Sequence, residues 1–178
     1  MSVIQKTQSN TDLPVRHIRK NYGDARSLLG GRLSVKISTE ETQGHFCLCA
    51  GLIGPNTAVP LHYHPDAEAF IVLDGSLDVF RLTNGKPESL TVQAGEMALI
   101  PCNAVHEFRN RSGGDVRVLT LCTAGLEAFS EEASIRVDAS RSDKIEPPTP
   151  LEIERVLAIA RKHGQMFTEK GGPNHAAL

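Results

Sequence analysis

The sequence contains no tryptophan, and aromatic residues fill only 4% of its 178 positions. So few ring faces argue against a stacking platform for single-stranded nucleic acid. A cationic excess is also lacking: 19 Lys and Arg stand against 21 Asp and Glu, a formal net charge of −2. That balance offers no footprint for a phosphate backbone. No apolar run approaches the length of a membrane span. The opening residues MSVIQKTQSNTDLPVR lack the apolar stretch of a secretory signal. The expectation is a cytoplasmic protein whose partners include neither nucleic acid nor membrane. Cysteine is scarce too. Cys47, Cys49, Cys102 and Cys122 form no CxxC pair and no disulfide-rich pattern. All are expected to stay reduced, with no catalytic role.

What is present reads as one domain with tails. The length is enough to bury a sizeable core, and 40% hydrophobic with 22% charged residues is ordinary globular usage. Residues 1–30 are polar and weakly periodic, and are read as an N-terminal arm that docks on a partner subunit. From residue 31 the texture changes to short β-rich runs. RLSVKIS alternates Leu33, Val35 and Ile37 against polar neighbours. HFCLCAGLI is apolar on both faces. Asp74-Gly75 inside AFIVLDGSLDVF predicts a hairpin, and Asn84-Gly85 predicts a further turn. SLTV, EMALI, VHEFRN and VRVLTLC follow at short spacing, the pattern of an antiparallel sandwich or small barrel. After residue 123 the chain becomes an extension over 124–178. AGLEAFSEEA suits a short helix. A helix over about 150–163 is predicted from the apolar spacing of LEIERVLAIARKHG, with Thr149 as N-cap, Pro150 at the first helical position and Gly164 as the stop.

The stretch PLHYHPDAEAF is the feature a plain core does not explain. On an extended strand His62 and His64 project to one face, and Glu68 shares their parity. His106 lies on a run whose alternate residues, Glu107 and Arg109, are polar, which turns His106 inward. A single inward histidine is most often a hydrogen-bonded core residue. Three of them with a carboxylate, aimed into one cavity, make a divalent transition-metal site. Burying Glu68 without a partner would cost several kcal/mol, and a metal removes that cost. The flanking Leu61, Phe70, Val72, Phe80 and Phe108, with Tyr63 at the mouth, are the candidate lining of a substrate pocket.

HYHPDAEAFIVLDG resembles the first cupin motif: HxH, three residues, Glu, six residues, Gly. GEMALIPCNAVHEFRN is similar to the second, with Gly95, Pro101, His106 and Asn110 in place. Gly54 stands two residues further upstream than the family pattern, and Asn103 occupies a glycine position, where Asn tolerates positive φ. The resemblance implies an all-β fold, a cupin double-stranded β-helix or jelly-roll barrel over residues 31–123. It also implies that His62, His64, Glu68 and His106 hold one divalent transition metal: Fe, Mn, Ni, Cu or Co, with Zn possible as purified. The arm, the Pro-rich break and the terminal helix look like proteins grouped with quercetin 2,3-dioxygenase. That grouping implies a dioxygenase acting on a small aromatic, flavonol- or polyphenol-like substrate, with Glu68 as the catalytic proton carrier. A non-redox isomerase or lyase and a non-catalytic small-molecule-binding cupin remain alternatives. Edge strands that need cover, together with the arm, predict a homodimer.

Overall fold

The computed structural model describes residues 14–83, 86–138 and 147–168. Its strands are β1 (Arg26–Leu28), β2 (Gly31–Ile37), β3 (Cys47–Ile53), β4 (Ala58–Tyr63), β5 (Glu68–Asp74), β6 (Ser76–Thr83), β7 (Lys86–Gln93), β8 (Met97–Ile100), β9 (His106–Arg109), β10 (Val116–Cys122), β11 (Ile135–Arg136) and β12 (Met166–Phe167). Helix α1 spans Ala124–Ala133 and α2 spans Pro150–Lys162. The strands form two antiparallel sheets. The larger runs β11-β1-β2-β3-β10-β5-β8 and the smaller β12-β4-β9-β6-β7. This is the expected jelly roll.

The core follows from alternation. Phe70 and Val72 of β5, Leu77 and Val79 of β6, Val92 of β7, Ile100 of β8 and Val116 and Val118 of β10 all point between the sheets. Each such burial is worth about 1.5–3 kcal/mol. A second cluster sits on the larger sheet toward the helices. There Cys47, Cys49 and Cys122 pack against Leu126 and Phe129 of α1 and Val156 and Ala160 of α2. No helix among the described residues is long and apolar enough to cross a membrane.

Local signals hold at several places. Thr149 caps α2 by accepting from the Glu152 amide at 3.2 Å, and Gly164 ends it at φ +76°. Asn103 takes the left-handed conformation at φ 61°, so the turn forms with Asn at that position.

Other expectations change. Asp74-Gly75 is not a hairpin turn. β5 pairs with β10 and β8, whereas β6 pairs with β7 and β9. Gly75 is the corner where the chain leaves one sheet for the other, at φ +80°, with its missing Cβ 3.1 Å from Val116. A side chain there would be strained and crowded at once. The predicted turn residues Asn84 and Gly85 lie outside the described residues, but antiparallel pairing of β6 with β7 reaches Thr83 and Lys86. Sheet structure also starts earlier than residue 31. β1 lies within the predicted arm and bridges β2 and β11.

Candidate metal centre and its cavity

The site is assembled from both sheets. His62 on β4 stands opposite His106 on β9, with ring centroids 4.2 Å apart. His64 follows the end of β4, in the loop that crosses to the larger sheet. Glu68 opens β5 on the far side of that loop. The common strand parity predicted for Glu68 and the histidines therefore does not bring them together. The loop does.

All three histidines are buried, none more than 5% exposed. Each ring is fixed through Nδ1 by a backbone carbonyl: His62 to Pro60 at 2.8 Å, His64 to Asp66 at 3.0 Å, and His106 to Ala104 at 2.9 Å. A carbonyl only accepts, so each imidazole donates through Nδ1 and keeps a bare lone pair on Nε2. The ligating atoms of the three rings lie within 4.8 Å of one another. Nε2 of His64 and of His106 is buried with no hydrogen-bond partner among the described residues. Glu68 Oε2 lies 3.5 Å from His64 Nε2 and 3.8 Å from His106 Nε2. These contacts are too long to satisfy the nitrogens, but close enough for charge to act.

The electrostatics follow. Burial pushes His62 down to about 3, helped by the neighbouring His106. Burial also lowers His106. Burial lowers His64 as well, but the Glu68 carboxylate outweighs it and the net shift is upward. Unsatisfied buried nitrogens are costly. A divalent cation fits three imidazole lone pairs whose tautomers are already fixed from behind.

His106 faces inward, as predicted, but its strand neighbours do not alternate with it as expected. Its neighbour Glu107 is not on a solvated face. It is 2% exposed and ion-paired with Arg109. Apart from the cluster, His163 is partly buried and pairs through Nε2 with Glu132 at 2.8 Å. Cys47, Cys49 and Cys122 are buried and free, with Cys47 and Cys49 sulfurs 3.6 Å apart, and Cys102 is exposed.

A cavity of about 180 Å³ opens on His62, His64 and Glu68. Of the predicted lining, Phe70 and Phe108 border it, edge to face at 5.0 Å. Tyr63, Val72, Phe80 and Leu61 do not. Val72 is sealed in the core between the sheets. Phe80 alternates with inward Leu77 and Val79, so its ring lies outside, beneath the guanidiniums of Arg109 and Arg111 at 5.7 and 5.1 Å. Tyr63 pairs with Met166 of β12. The walls that the sequence reading missed come from outside the barrel: Leu28 and Leu29 at β1, Phe129 on α1, Val156 on α2, and Gln165 and Phe167 at β12. A local trace of the last of them is the apolar pair Met166-Phe167 after the helix stop at Gly164.

The Cupin_2 family model (Cupin domain) matches residues 52–122. No curated protein matches the sequence. Among solved structures, the chain is similar to the polyketide cyclase RemF from Streptomyces resistomycificus (22% identity, TM-score 0.52, covering 62% of this chain and 80% of that one). It is similar to ectoine synthase from P. lautus (22%, TM-score 0.53, 78% and 99%). It is also similar to a predicted oxalate decarboxylase from Thermotoga maritima (20%, TM-score 0.52, 61% and 98%). At these identities the likeness is one of fold: the barrel of this chain is a cupin barrel.

Proposed function

We propose that this cupin-fold chain is a metal-dependent oxygenase of a small aromatic substrate, as its resemblance to the quercetin 2,3-dioxygenase grouping implies. One observation carries the metal reading: three Nε2 lone pairs, each fixed from behind by a carbonyl, meet beside Glu68 at the polar end of an apolar cavity. His62, His64, His106 and Glu68 would hold the ion. Four such ligands leave further positions on an octahedral ion, which favours Fe, Mn, Ni, Cu or Co over a closed tetrahedral zinc.

When bound, the metal supplies Lewis acidity and, if redox-active, oxygen chemistry. The rest falls to the protein. Glu68 Oε2 takes the proton of the substrate hydroxyl and holds it. Phe70, Phe108, Leu28 and Leu29 orient the ring and keep water out. An apolar cavity of about 150 Å³ accepts a benzene ring, so 180 Å³ suits a single substituted ring. A flavonol exceeds it. Substrates of phenol or catechol size are therefore favoured over the flavonol-sized end of the class.

The test starts with metal per chain in protein purified without added metal. An oxygen electrode then reads uptake with single-ring phenols and with flavonols. The expected result is chelator-sensitive uptake with a single-ring phenol. Tight phenol binding with no uptake would replace this reading by a non-redox isomerase or lyase, or by a binding protein. Free thiols at all four cysteines suit the reducing cytoplasm in which we place the protein. We further propose that it works as a homodimer, joined through the outer face of the larger sheet.

A further inference from the structure

Gln165 has no role in the metal site, yet its surroundings are unusual. It is 5% exposed and borders the same cavity as His62, His64 and Glu68. Its backbone amide is engaged, donating to Ala160 at 2.9 Å. Its side-chain amide has no hydrogen bond among the described residues. Thr57, Thr120 and Ser130 of the same wall are only partly buried, and the Thr57 hydroxyl is spent on the Gly30 carbonyl at 3.1 Å. On a residue this buried, a carboxamide with no hydrogen bond to the described residues is uncommon in a folded protein. One that borders a largely apolar chamber is placed to meet something that enters it.

The chain holds Gln165 there firmly. Gly164 turns the backbone against Pro65, the residue after His64, at 3.5 Å from where a Cβ would stand. β12 then pairs with β4, placing Phe167 opposite His62, their rings stacked at 5.6 Å and 25°. Thr168 donates to the Leu61 carbonyl at 3.0 Å. The amide is thus carried on a segment registered directly against a candidate ligand strand, so its position relative to the metal centre is fixed.

We infer that Gln165 is a specificity-determining residue that hydrogen-bonds a second, uncharged polar group of the substrate. This rests on the cavity being the ligand chamber proposed above. The ligand class it defines is a small ring with two polar ends: a hydroxyl that meets the metal centre, and a neutral hydroxyl or carbonyl that meets the Gln165 carboxamide. An amide both donates and accepts, so it suits a neutral group of either kind.

Binding to the metal-loaded protein is measured by calorimetry with 3- and 4-(hydroxymethyl)phenol and with 3- and 4-ethylphenol, which match them in size but lack the second polar end. Gln165→Leu should keep its metal content. It should shift the ratio of dissociation constants toward the ethylphenol by at least about fivefold for one isomer pair, the worth of a hydrogen bond lost and a polar group left unpaired. In the unsubstituted protein, the Gln165 side-chain amide NMR signal should move with that hydroxymethylphenol and not with its ethyl counterpart, which serves if the variant fails to fold. An unchanged ratio, an amide signal indifferent to the hydroxymethyl group, or no binding of any of the four phenols overturns the inference. None of these readouts uses oxygen. A shifted ratio with no oxygen uptake from any phenol would remove the oxygenase reading and leave Gln165 in its role.

Discussion

At the scale of single residues, the three histidines should act as a unit. Losing an outer partner of a metal ligand already costs about 10–100-fold in affinity, and losing the ligand itself costs at least that. His62→Ala, His64→Ala and His106→Ala are each expected to lower metal per chain sharply by elemental analysis. Full occupancy in His106→Ala would reduce that residue to core packing. Glu68→Gln keeps an oxygen donor of the same shape and removes the charge, so part of the metal should remain while turnover collapses. The same residues predict an acid-sensitive metal-free protein. His62 titrates near 6.5 when unfolded and at about 3 when folded. Between those values the unfolded chain binds more protons, so stability rises with pH through that window and levels off above it. His106, also lowered, acts in the same direction. His64, raised, opposes them: its contribution is present below 6.5 and fades as pH rises through its folded value. The melting temperature of chelator-treated protein should therefore fall as pH drops from 6.5 toward 3, and His62→Asn should flatten that fall. An equally steep fall in His62→Asn would assign the acid sensitivity elsewhere.

At the scale of elements, helix α1 shows how distant residues hold the site. Its own N-cap, Thr123, makes no capping bond to the helix. Asp66 from the histidine loop caps it instead, accepting from the Gly125 amide at 3.0 Å and from the Thr123 hydroxyl. The backbone carbonyl of that same Asp66 orients His64. Asp66→Ala should cost about 1 kcal/mol in denaturant unfolding and weaken metal affinity with it. Asp66→Asn, which can still accept, should restore most of both. Such links explain which features were legible in the sequence. Motif spacing brings out the clustered histidines and their neighbour Glu68 because HxH, Glu68 and His106 sit in short, turn-bounded runs. Helix α2 is legible because Thr149, Pro150 and Gly164 mark its ends locally. The cavity walls are not, since Leu28, Phe129, Val156 and Phe167 reach the site only through long-range docking of β1, α1, α2 and β12. Phe80 was misplaced by one step of strand parity, which sends a side chain to the opposite face. Asp74-Gly75 was misread because a sheet-to-sheet corner and a hairpin both need a residue at positive φ.

At the scale of the whole molecule, the larger sheet has one face covered by the smaller sheet and the helices, and among the described residues its other face carries several exposed apolar side chains. On that outer face β5 presents Leu73, β8 presents Met97 and Leu99, and β10 presents Leu121. Met97 is 68% and Leu99 71% exposed. β8 is also an edge strand of the sheet, with unpaired backbone groups that a neighbouring chain can reach. A contiguous apolar sheet face of this kind is uncommon on a monomer. A second copy suits it, because a two-fold axis sets the same apolar patch against itself and buries both edges together. The arm gives a second motive: Val15 is fully exposed and Tyr22 is 42% exposed, apolar groups that a partner subunit would cover. Light scattering at micromolar concentration is expected to report twice the 19.3 kDa chain mass. Leu99→Glu places a charge in the centre of the contact, where burial is most costly, and should give the single-chain mass with the circular dichroism spectrum unchanged. Removal of residues 1–25 should weaken the dimer without abolishing it. A single-chain mass for the intact protein would rule out this assembly, and an undisturbed dimer in Leu99→Glu would move the interface off the larger sheet.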